Sequence, residues 1–166
     1  PLVTEKPDAF RLPKGPAGVE FDHVGFSYPR ADEVSLASLE SVARTSSRRD
    51  GPVLHDVSFT VAPGKMVALV GPSGAGKTTI TQLIARLYDA SQGSVRVAGT
   101  NVRDVTLESL HATVGAVTQD AHLFHDTIRS NLLYARPHAT QDEVWKACDD
   151  ANIGDLIRSL PDGLDT

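Results

Sequence analysis

The chain reads as an α/β fold, a parallel-sheet core around one glycine-rich turn, and three consecutive features predict it. Residues 65–70 (Lys-Met-Val-Ala-Leu-Val) end in a short apolar run of the kind that forms a strand buried on both faces. Residues 71–78 read Gly-Pro-Ser-Gly-Ala-Gly-Lys-Thr, the Gly-x-x-x-x-Gly-Lys-[Ser/Thr] pattern of a phosphate-binding loop. Ile80, Leu83, Ile84, Leu87 and Tyr88 then recur at helical spacing, so a helix begins near Lys77. Strand, loop and amphipathic helix in that order are far more specific than the loop pattern alone.

Each loop position has a chemical task. Gly71, Gly74 and Gly76 carry no side chains, so the amides of Ser73, Ala75 and their neighbours are free to turn inward around an anion. Lys77 brings positive charge to the terminal phosphates, and the Thr78 hydroxyl suits the magnesium ion that accompanies them. The helix N-terminus aims unpaired N–H groups and its positive dipole end at the same anion. A glycine-rich turn with no ligand has no need of a lysine followed by two threonines.

The remaining elements follow in order. Residues 1–18, rich in proline, glycine and charge, read as a linker or arm. Val19, Phe21, Val24, Phe26 and Tyr28 alternate loosely and predict one or two strands. Residues 31–52 read as a surface insertion, with a short weak helix and a Ser/Arg-rich stretch over 45–50. Residues 53–61 alternate again and predict a strand closed by Ala62-Pro63-Gly64. Beyond the loop unit, residues 93–102 suggest a hairpin turning at Ala98-Gly99-Thr100-Asn101. A short helix capped by Thr106 with Glu108 early in it, and a buried strand over 114–118, come next. Residues 127–134, 140–149 and 152–160 are helix candidates, the second opened by a capping box of Thr140 and Glu143. Val144, Ala147, Cys148 and Ala151 continue its apolar face, and Trp145 fits a core or interface position.

Bulk properties narrow the function classes. The 166 residues suffice for one domain with a real core, and 40% hydrophobic with 22% charged residues is ordinary for a globular chain. A net charge of -5 argues against a broad nucleic-acid surface. The lone Cys148 excludes an internal disulfide framework and reads as a buried inert thiol. No apolar run approaches the ~18 residues of a membrane span, so the chain itself is expected to be soluble. His122 and His125 lack companion cysteines or carboxylates at zinc spacing, and Asp149 with Asp150 read as a solvated helix end.

With these stretches in view, the chain resembles the nucleotide-binding domain of an exporter-type ABC transporter across residues 19–166. Phe21-Asp22-His23-Val24-Gly25-Phe26-Ser27-Tyr28-Pro29 is similar to the opening strands that end in an adenine-stacking aromatic. Val53-Leu54-His55-Asp56-Val57-Ser58-Phe59, followed by Pro63-Gly64-Lys65, resembles the strand before the loop, and residues 71–79 resemble Walker A. Val117-Thr118-Gln119-Asp120, Leu123-Phe124 and Thr127-Ile128-Arg129-Ser130-Asn131-Leu132 resemble the glutamine loop and the segment after it. Leu160-Pro161-Asp162-Gly163-Leu164-Asp165-Thr166 looks like the run ahead of the signature sequence. His111 departs from the arginine often found there, and residues 31–52 are longer than the usual link.

The resemblance implies a P-loop NTPase fold of the ABC ATPase type: a parallel-sheet core, an antiparallel region, and the start of a helical subdomain over 120–166. It implies ATP and Mg2+ as ligands, with Tyr28 on adenine, residues 71–79 on the phosphates, Thr79 on the alpha phosphate, and Thr78 and Gln119 on magnesium. Lys77 and Gln119 carry the catalytic role. It further implies a transmembrane domain and a second nucleotide-binding domain as partners, at the cytoplasmic face of a membrane, with no nucleic acid. The chain stops before the signature motif, the Walker B aspartate, the catalytic glutamate and the switch histidine, so it is expected to be a truncated domain without hydrolysis of its own. Unpaired strands then leave apolar surface exposed and favour a dimer, an aggregate or a distorted fold. An ABC-class ATPase without a membrane domain, a non-hydrolysing binding fragment and another P-loop enzyme such as a kinase remain open. A GTPase lacks its Asn-Lys-x-Asp segment.

Overall fold

The computed structural model describes residues 3–29, 51–117 and 123–166. Gln119, Asp120, His122 and nearly all of the 31–52 insertion lie outside the described residues. The chain divides into two compact units, residues 1–116 and 117–166.

The first unit is built on a sheet of β1 (Val19–Phe26), β2 (Leu54–Val61), β3 (Gln92–Val97) and β4 (Thr100–Asn101) in the order β2-β1-β3-β4, every pairing antiparallel. β1 is central because its apolar residues find partners on both sides. Phe21 lies opposite Phe59 of β2 with the rings stacked at 4.6 Å, and opposite Val95 of β3. Ala98 and Gly99, both at positive φ, make the two-residue turn of the expected β3–β4 hairpin. Helix α1 (Lys77–Ile84) buries Ile80 and Leu83 in the core formed with Val24, Phe26, Leu54, Val95 and Val97. Helix α2 (Leu107–His111) is capped by the Thr106 side chain, as expected, and buries Leu110.

Two expectations are corrected here. Residues 65–70 and 114–117 form no strand: Met66, Val70 and Val117 are almost fully exposed. A strand exists only through a ladder with a neighbour, and neither segment has one among the described residues. Consequently the parallel core is not assembled among the described residues, and the sheet present is the antiparallel region. Helix α1 also ends earlier than the apolar spacing suggested. Arg86 takes a left-handed φ of 51°, its N–H bonds Leu83 O, and the Leu87 N–H bonds Gln82 O, the paired bonds of a Schellman ending. That leaves Leu87 exposed. Residues 3–18, read from the sequence as part of a linker or arm, make contacts within this unit. Leu12 is buried, Phe10 bridges Val105, and Glu5 Oε1 accepts the N–H of Leu107 at the start of α2.

In the second unit, α3 (Ile128–Leu133), α4 (Gln141–Asp150) and α5 (Gly154–Ser159) enclose Val144, Cys148, Ile157 and Leu164. The α4 capping box is present in both directions. Cys148 is buried and unpaired, and Trp145 packs on the cluster under the Arg158 guanidinium, 4.7 Å from the ring centre. Asp149 forms a two-pronged pair with Arg158, and Asp150 pairs with Lys146. Among the described residues, no helix is long and apolar enough to cross a membrane.

Candidate functional site

The glycine-rich turn is a curled, exposed loop running into α1. Gly74 and Gly76 hold φ of 81° and 86°, the left-handed region that glycine occupies without strain. Gly76 is further required by packing, since a Cβ there would come within 2.6 Å of Leu54 Cδ2. The Ala75 N–H is committed to Pro72 O at 3.2 Å, which closes the turn. Gly76 caps α1 without a side chain, and no acidic residue occupies the first turn. The opening N–H groups of α1 therefore face no capping oxygen from their own N-cap, the condition under which a helix end attracts an anion.

Lys77 folds back over this loop. Its Nζ donates to Gly71 O and Pro72 O, each at 2.8 Å. An ammonium has three donors, so one N–H is left over for an incoming anion. Thr78 is exposed, and its hydroxyl has no hydrogen-bond partner among the described residues. An oxygen donor of that kind suits a hard cation such as magnesium. Ser73 is exposed beside them. The donor set present, a spare ammonium N–H, a neutral hydroxyl and a loop without side-chain bulk, fits a magnesium-bound polyphosphate tail.

Tyr28 and Thr79 are brought together. The Tyr28 hydroxyl lies 2.9 Å from Thr79 Oγ1 and donates to Gln82 Oε1 at 2.9 Å. Its ring meets Phe26 and Tyr88 edge-on, at 4.9 and 5.2 Å between centroids. Thr79 is buried and Tyr28 half-buried. Sequence reasoning missed Gln82, whose only signal was its place one turn beyond Thr79 on α1. It also missed Arg86, whose buried guanidinium bonds Asp89, Val105 O and Thr4 O. The spacing of Arg86 and Asp89 was the available clue. His111 instead holds Ala85 O at the end of α1. Among the described residues no group of three His, Cys, Asp or Glu side chains is placed to hold a metal.

Comparison with known proteins gives a consistent set of likenesses. A family model described as ABC transporter matches residues 54–163. The chain is 48% identical over its whole length to the ABC transporter aclQ of Aspergillus oryzae, covering 18% of that protein. It is 40% identical over its whole length to the heavy metal tolerance protein of Schizosaccharomyces pombe, again covering 18%. It also resembles a solved bacterial Atm1-family ABC exporter with ATP bound, at TM-score 0.82 and 41% identity over 99% of this chain and 26% of that one. The chain thus spans about a fifth to a quarter of the length of the proteins it matches.

Proposed function

The chain belongs to the ABC transporter family, and from that premise we propose that it is the ATP-gripping part of an exporter's nucleotide-binding domain. Members of this family are generally ATPases, and exporter-type relatives pair such a domain with transport. The observation that carries the reading is the loop itself: left-handed glycines, an uncapped helix start and a lysine with a spare donor, all in one exposed turn.

In this reading the unpaired main-chain N–H groups of residues 71–79 and the Lys77 ammonium bind and orient the phosphates, while Tyr28 supports the adenine ring. Magnesium, when bound, neutralises charge that develops on the phosphate oxygens, and Thr78 and Gln119 are the residues that would hold it. Phosphoryl transfer to water depends mainly on positioning and charge neutralisation, and these residues position the phosphates. Hydrolysis powering export belongs to the intact transporter, with its transmembrane domain and a second nucleotide-binding domain on the cytoplasmic face of the membrane. The chain binds Mg-ATP through this loop.

A clean preparation assayed for bound nucleotide and for phosphate release tests this. Weak saturable binding of ATP in preference to GTP, lost in Lys77→Ala by about ten- to a hundredfold as a charged hydrogen-bonding group is removed, is expected. Saturable ATP binding that Lys77→Ala leaves unchanged would overturn the reading.

A further inference from the structure

Gln82, beside the loop, has no part in the proposed site, yet it bonds a residue that does. Tyr28 lies two residues past β1 and Gln82 sits on α1, yet they are joined through the Tyr28 hydroxyl. A phenol has a single proton. Because that proton is donated to Gln82 Oε1, the contact between the Tyr28 oxygen and Thr79 Oγ1 is one in which the threonine donates. Thr79 is therefore free to redirect its proton to another acceptor without releasing Tyr28, because Gln82 keeps hold of the ring. The edge contacts with Phe26 and Tyr88 restrict the ring plane, and the Gln82 bond restricts its tip.

From this geometry we infer that Gln82 is a positioning residue for the nucleotide base: it anchors Tyr28 to the first turns of the phosphate-loop helix, so that base support and phosphate grip form one rigid piece. The inference rests on the nucleotide-binding reading above. An aromatic platform fixed before binding loses less rotamer freedom when the base arrives, and that saving appears as affinity for ligands that carry a base. A ligand made of phosphates alone gains nothing from it.

Calorimetry on the full chain with Mg-ATP and, separately, with magnesium tripolyphosphate separates the possibilities. Gln82→Leu and Tyr28→Phe are each expected to lower ATP affinity by about fivefold, the worth of one net hydrogen bond. The double variant should lose no more than Tyr28→Phe alone, since that change already removes the Gln82 bond. Tripolyphosphate affinity should stay within about twofold in Gln82→Leu. A purely structural Gln82 would weaken both ligands together, and that result overturns the inference, as does a Gln82→Leu chain that binds ATP like the wild type or a double variant whose losses add. A wild-type chain that binds neither ligand overturns the nucleotide-binding reading instead.

Discussion

His23 shows how one residue pair carries a pH signal into the fold. Its backbone sits at φ 50° where β1 shifts register against β2, and Asp56 opposite has the same φ. The His23 Nδ1 lies 2.6 Å from Asp56 Oδ1, and the His23 N–H bonds Ser58 Oγ. The hydrogen bond to Asp56 raises the imidazole above its ordinary value of 6.5, with the charges of Asp56 and Asp22 adding to it. A folded value above the unfolded one means that the pair's support is complete below about pH 6.5 and disappears as pH rises through the folded value. Ring-proton titration by NMR should show His23 titrating above that value and returning toward it in Asp56→Asn. Single residues were unevenly legible beforehand. Lys77 and Thr78 were readable because a motif fixes their spacing. Gln82 and Arg86 were not, since their partners, Tyr28 and Thr4, are far away in the chain.

Among the elements, local chemistry was the readable part. The Thr140–Glu143 capping box follows from a four-residue pattern and is formed as written. The backbone bond from Thr140, then the charge of Arg136, hold the Glu143 carboxyl below its usual range. That support is present above about pH 4.5 and fades as pH falls through the lowered folded value. Thr140→Ala should cost about 1 kcal/mol of stability, the usual loss of an N-cap, read as a fall in the midpoint of a urea melt followed by circular dichroism. Where an element ends was harder to read. The stop of α1 is made by Arg86 in a left-handed conformation that glycine more often takes, so no sequence signal announced it. The left-handed cost, about 1–2 kcal/mol for a side-chain-bearing residue, is opposed by the bonds that its buried guanidinium makes.

For the whole molecule, the limit of legibility is pairing. The apolar runs at 65–70 and 114–117 have the composition of buried strands, but composition does not supply the neighbour that makes a strand. Alternation marked the strands themselves, whereas the order that sets β1 between β2 and β3 is seen only in the fold. Family membership agrees with the loop, helix and antiparallel sheet, all of which stand in the first unit. The proposed nucleotide binding depends on main-chain amides in one turn grasping a chain of phosphates. Two-dimensional 15N NMR during titration with Mg-ATP tests that claim most directly. The largest shifts are expected at Gly74, Gly76, Lys77 and Thr78, reproduced by tripolyphosphate and missing in Lys77→Ala. Saturable ATP binding that leaves those four amides in place and perturbs others would contradict it.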